Sequence, residues 1–273
     1  MVSDRAFDET GIEGREEGGM ADSKRDWTRL VTRGAVVLGI GAVIAALAAA
    51  AGSGNGMWSF RSGLTALRYL FYAAAAGALL GLIGLVMARR RAKLMLANLL
   101  ALVVALGFVL YLGNLVRIAK SVPAIHDVAT DLDDLPQFTR LKVRADNLEN
   151  IPDEGKPDLK ALPPDERWKA VHRAHYGDLR TVRLDLPPQQ AVRRAASLAG
   201  ERGWKVALVD ENRVEATATS TFFRFKDDVV VRVRPAPGGG SLVDMRSISR
   251  VGGSDVGMNA KRVRAFLADL QRG

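Results

Sequence analysis

Three stretches of the chain carry no charged side chain, and their lengths dictate what it can fold into. Residues 34–52 lie inside an uncharged run between Arg33 and Arg61, twenty uncharged residues separate Arg68 from Arg89, and twenty-three separate Lys93 from Arg117. At a helical rise of about 1.5 Å per residue, twenty residues cover about 30 Å, the hydrocarbon thickness of a bilayer. Three successive helices with no charge on any face would offer water nothing to wet. Lipid is therefore the expected solvent, and a retained first helix is expected in place of a cleaved signal peptide.

Lysine and arginine in short flanks resist translocation and so set the orientation. Lys24, Arg25, Arg29 and Arg33 precede the first span, and Arg89, Arg90, Arg91 and Lys93 fill the link between the second and third. Both groups are expected inside, which places the N-terminus in the cytoplasm and the C-terminal part in the periplasm of a bacterial inner membrane. The net charge of +9 follows the same division: residues 1–120 carry +6 and the remainder only +3. It reads as membrane-flanking charge, so no nucleic-acid partner is expected. The spans contain no Asp, Glu, His, Lys or Arg, which excludes the groups of an ion or proton pathway. Gly77 and Gly81 form a small-xxx-small pair, suited to packing inside the three-helix unit or against a second copy or partner.

Residues 1–28 hold eight acidic side chains and few apolar ones, a composition expected to stay disordered as a cytoplasmic tail. The anchor occupies residues 29–118. Residues 119–178 read as an extended Pro-rich tether with one short helix over residues 165–176, in which Trp168, Val171, His172 and His175 share a side. His172 and His175, with His126 and Asp127, make a weak metal pattern; packing histidines are the simpler reading. The GIG at Gly39 to Gly41 sits inside an apolar run with no strand before it, so no dinucleotide site is expected. No cofactor is implied, and with no cysteine the chain builds neither disulfides nor a thiol nucleophile.

Residues 179–273 show regular punctuation: strand, helix, four strands, helix. Period-two alternation marks TVRLDL, WKVALV, RVEATATST, FKDDVVVRVRP and SLVDMRSISRV, while Pro187 and Pro188 open the first helix and residues 256–271 form the last. Short turns favour antiparallel pairing, and two amphipathic helices suffice for one sheet face. The fold class expected is α+β, three transmembrane helices followed by an antiparallel sheet with two helices on one side. Alternation places Val229, Val231 and Val233 opposite Asp228, Arg232 and Arg234, and puts Asp244, Arg246 and Arg250 together with Arg213, Glu215 and Thr217. This polar lattice is either a surface laced by cross-strand ion pairs or a docking face for an anionic ligand, with Arg232, Arg246 and Arg250 as donors. Ser254 or Asp255 caps the last helix, whose first amides would otherwise face an anion. Asp227 and Asp228 point to opposite faces and share no proton, and no serine, histidine and aspartate stand in a nucleophile arrangement.

The pieces IHDVATD from Ile125, GW at Gly203, VEAT from Val214, FKDDVVVRV from Phe225 and RSISRVGGSDVGMNAKRVRAF from Arg246 resemble the family catalogued as domain of unknown function 1499. The resemblance covers about residues 123–270. It implies a membrane-associated or envelope role with no established activity, and it singles out Arg232, Asp244, Arg246, Ser249, Arg250, Asp255 and Asn259 as a linked set. The function expected is a membrane-anchored envelope protein presenting a binding or structural domain, with Arg232, Arg246, Ser249, Arg250, Ser254, Asp255 and Asn259 as binding residues. Its rivals are an enzyme on envelope carbohydrate or lipid using Asp228, Asp244 or Asp255, and an accessory subunit contacting a membrane complex through Gly77 and Gly81. The full chain is expected to sediment with membranes after an alkaline wash and to need detergent for extraction; recovery in the aqueous fraction would contradict a bilayer anchor.

Overall fold

The structure, a computed structural model, describes residues 10–272, with side chains from Trp27 onward. The chain divides into two compact units, Met1–Asn114 and Leu115–Gly273. Of the tail expected to be disordered over residues 1–28, residues 1–9 lie outside the described residues. From Thr10 the backbone is helical without a break into the first apolar stretch, forming α1 (Thr10–Gly54). Extending a helix that is already nucleated costs little.

The first unit continues with α2 (Phe60–Met87) and α3 (Ala92–Ser121). Trp27–Gly54, Phe60–Met87 and Ala92–Ser121 are each long and apolar enough to cross a membrane. Large apolar side chains such as Val37, Ile44, Leu79, Leu96 and Leu110 are exposed on the outside, and small residues line the contacts. A Cβ on Gly77 would stand 2.3 Å from the backbone nitrogen of Gly39, so α1 and α2 touch backbone to backbone there. Gly81 lies against Leu102 of α3, and the Asn98 amide fills the space over Gly84. Asn98 is fully buried and donates through Nδ2 to Thr32 Oγ1 and Leu94 O, both at 2.9 Å. Gly77 and Gly81 are thus both used in packing within the unit.

The second unit is an antiparallel sheet of six strands among the described residues, ordered β1-β6-β5-β4-β3 with β2 sharing the free edge of β6. The strands are β1 (Asp127–Ala129), β2 (Val182–Leu184), β3 (Lys205–Val209), β4 (Arg213–Thr219), β5 (Lys226–Pro235) and β6 (Ser241–Ser249). β1 pairs with Arg246–Ile248 and β2 with Ser241–Val243, so two short strands complete one edge. Between them come α4 (Pro157–Ala161) and α5 (Pro164–Tyr176); α6 (Pro188–Glu201) and α7 (Met258–Arg272) follow the expected periodicity. Val229, Val231 and Val233 of β5 pack in one core with Val192 and Ala195 of α6 and Val263, Phe266 and Leu270 of α7. Phe266 also stacks on Trp204 at 5.1 Å.

Several expectations need correction. Residues 119–178 supply more than a tether, because β1 is in the sheet and Trp168, Val171 and Tyr176 of α5 belong to the core. Within α5 the buried side is Trp168, Val171, His172 and Tyr176, and His175 is exposed. Helix spacing alone does not decide this, because at 100° per residue His175 lies nearer the Trp168 and His172 line than Tyr176 does; the place of Tyr176 in the core decides it. Val256, expected on the buried stripe of the last helix, instead turns with φ 55° just before α7 begins.

Gly77→Leu is expected to lower the stability of the full chain in detergent by about 1–3 kcal/mol, the usual cost of overpacking. Gly107→Leu, at a position where a Cβ meets nothing within 4 Å, should leave thermal unfolding nearly unchanged. Equal melting of the two variants would contradict the helix contact.

Candidate functional site

The polar sheet face is neither solvated nor open. Residues 130–150 cross it as a strap, and Glu215 is the fastening. This carboxylate is fully buried on β4, and it accepts N–H bonds from Thr139 (2.6 Å), Arg140 (3.0 Å) and Leu141 (2.7 Å) and an O–H bond from Thr139 (2.8 Å). Burial pushes the Glu215 carboxyl up, but the bonds from Leu141, Thr139 and Arg140 together outweigh it and hold it below the usual glutamate range. Three successive backbone donors on one carboxylate fix where the strap sits.

The arginines expected to meet an anion are paired within the chain. Arg246 has a side chain 7% exposed and forms a two-point contact with Asp127 of β1, Nε to Oδ1 at 3.0 Å and Nη2 to Oδ2 at 2.7 Å. Asn147 of the strap donates to the same Asp127 Oδ2 at 2.6 Å. Arg232 and Arg234 of β5 both bond Asp244 Oδ2, at 3.1 and 2.7 Å, and both reach Asp131 and Asp134 of the strap. Asp244 is fully buried and also accepts from Thr130 and Thr181. Arg250 forks onto Asp228 at 2.8 Å on both oxygens.

Ser249 and Asn259 lie apart from these ion pairs. Asn259, buried in the first turn of α7, donates to His126 O (2.9 Å) and Ser249 Oγ (3.0 Å) and accepts from Ser247 Oγ (2.7 Å). Arg262 and Asp227 close this network at 2.6 Å. Ser254 Oγ accepts from the Val256 N–H, and Asp255 takes the N–H groups of Gly257 and Asn259. Burial raises the pKa of Asp255 although those two N–H bonds oppose it. The α7 amides are thereby occupied. The sequence-derived set therefore does not converge on one site: Asp228 and Asp244 act as arginine partners, Asp255 as a cap, and Arg232 and Arg246 as ties between sheet and strap. Among the described residues no group of three His, Asp or Glu is placed to hold a metal ion.

One cavity does take in part of the set. Beside the middle of the strap, a space of about 280 Å³ is lined by Phe138, Lys142 and Val143 together with Asp228, Ile248, Ser249 and Arg250. Arg250 has a side chain 42% exposed and spends Nε and Nη2 on Asp228 and Thr217. Its Nη1 has no protein partner among the described residues, and neither has the Lys142 ammonium. Arg144, also in the wall, is held by Asp146 and donates to Gly252 O at 2.7 Å. Lys142 and Asn147 were missed by sequence reasoning, and Glu215 was placed in the polar lattice without its role as a fastening, because their partners lie far along the chain and no spacing announces them.

Residues 127–270 match the family described as Protein of unknown function (DUF1499). The matched span opens on β1 and closes in α7, so it takes in the sheet, the strap and both of their anchoring carboxylates. The chain belongs to the DUF1499 family. No curated protein matches the sequence. A solved structure that it is similar to is the crystal structure of DR_A0006 from Deinococcus radiodurans, at 18% identity over 34% of this chain and 91% of that one, with a TM-score of 0.23. The three apolar helices precede the DUF1499 match.

Two pH windows separate the buried groups. Glu215 has a folded pKa below its unfolded value of about 4.3, so its contribution is present above that pH and is lost as pH falls through the folded value. Glu215→Gln should therefore cost about 1.5–3 kcal/mol at neutral pH, a gap that closes below about pH 4.3 in denaturant titrations. His172 behaves in the basic sense: burial lowers its pKa to about 4, which Asp127 only partly opposes. Between about pH 6.5 and that value the unfolded chain binds the proton and the folded one does not. Stability should fall as pH drops across this window, and His172→Phe should flatten the slope.

Proposed function

We infer that this protein is a membrane-anchored binding module. Its apolar helices hold the DUF1499 domain at the periplasmic face of a bacterial inner membrane, and the domain receives an anionic group of an envelope component between Lys142 and Arg250. The observation that carries the reading is the charge left over at the cavity between Lys142 and Arg250. Arg232, Arg234 and Arg246 are matched by Asp131, Asp134, Asp244 and Asp127, whereas Lys142 has no ion-pair partner among the described residues and Arg250 keeps one guanidinium nitrogen unspent. Phe138, Val143 and Ile248 give that corner an apolar wall. Arg250, with its side chain 42% exposed beside this wall, attracts an anion more strongly than a cation in open water. The periplasmic placement rests on the cationic flanks of the first three helices.

A fusion of alkaline phosphatase at the C-terminus is expected to be active, and a fluorescent protein that matures only in the cytoplasm is expected to stay dark at the same position; the reverse pattern would overturn the placement. A photocrosslinker at Val143 should capture an envelope component that is lost in Lys142→Ala with Arg250→Ala and weakened by raised salt. A captured set that ignores both changes would remove the anion reading.

A further inference from the structure

The structure carries a second cavity, of about 470 Å³, where the strap begins beside the C-terminal end of α5. None of the roles described above uses it. Its wall includes His172, which is 1% exposed. Nε2 of this ring accepts the Ala129 N–H at 3.2 Å, so the ring proton sits on Nδ1, and Nδ1 has no partner. Trp168 and Tyr176 pack edge-on against the ring, each with a centroid 5.7 Å away, and hold its orientation. A buried donor without an acceptor costs about 1–3 kcal/mol, and an acceptor atom entering the cavity relieves that cost.

Two guanidinium groups face the same space. Arg180 spends Nε on Gly177 O at 3.1 Å, and its terminal nitrogens have no partner among the described residues. Arg173 bonds only Asp133, in a pair whose side chains are 52% and 86% exposed. So exposed a pair contributes little and gives way readily to a better anion. Two planar forks on one cavity suit a carboxylate. Asp131 and Asp133 stand in the same wall and disfavour a doubly charged phosphate; Asp131 is spent on Arg232, Arg234 and two backbone N–H groups, whereas Asp133 has an oxygen open to a hydroxyl group. Leu132 and Leu179 supply an apolar patch for a C–H face. A volume in the range of 300–1,000 Å³ is that of small-molecule sites generally.

We propose that this cavity binds a hydroxylated monocarboxylate of sugar-acid size, with Arg180 and Arg173 on the carboxylate, His172 Nδ1 donating to a ligand oxygen, and Asp133 accepting from hydroxyls. The site is separate from the Lys142 and Arg250 cavity and does not depend on it. The test is calorimetry on the full chain in detergent, with glucuronate as probe and glucose and inorganic phosphate as comparisons. Glucuronate is expected to bind saturably and at least tenfold more tightly than either comparison. Arg180→Ala, a surface change whose folding is checked by thermal melting, should weaken it about tenfold or more, and Lys142→Ala should leave it unchanged. Absence of saturable glucuronate binding to intact protein, phosphate or glucose binding as tightly, or insensitivity to Arg180→Ala would each overturn the proposal. Loss on Lys142→Ala alone would overturn it too, by moving the carboxylate to the other cavity.

Discussion

Glu215 is fully buried on β4, between β5 and β3, and its charge is held by N–H groups from a segment more than seventy residues earlier in the chain. A carboxylate buried without such donors would cost several kcal/mol. The strap therefore cannot leave without stranding a charge, and the charge cannot be accommodated without the strap. The Asp127 and Arg246 contact repeats this logic at the sheet edge, where Asn147 brings the strap to the same carboxylate. The sheet is thus covered on both faces by different physics, hydrocarbon under the helices and matched charge under the strap.

Where binding groups remain free follows from that arrangement. Arg232, Arg234 and Arg246 are consumed in holding the strap, and unspent donors stand in two cavities along it: Lys142 and Arg250 in one, Arg180 and the His172 ring proton in the other. The α7 N-terminus, an anion site by its geometry, is closed by the chain's own Asp255. In the first unit the distribution is inverted. Bulky apolar side chains face outward while Gly77, Gly81 and Gly84 face inward, the pattern of helices that gain from close backbone approach and not from hiding hydrocarbon.

Much of the strand and helix pattern is visible in residue order. Val229, Val231 and Val233 alternate as a half-buried strand must, and Ala260, Val263, Phe266, Leu267 and Leu270 recur as a helix stripe must. The strap is legible in residue order only as extended chain laid over a domain, and its seat on the sheet is not. Residues 130–150 have no period, and a segment that binds a sheet through backbone amides leaves no side-chain signature. The same holds for β1, three residues long, whose place is decided by pairing with Arg246–Ile248.

Residue order by itself determined the three apolar helices and the antiparallel α+β domain, since hydrophobic period and charge-free length act between neighbours. Only the tertiary structure decided which charges are spent. Asp127 meets Arg246 and Thr139 meets Glu215 across 119 and 76 positions, and whether an arginine is a ligand donor or a fastener depends on what folds over it.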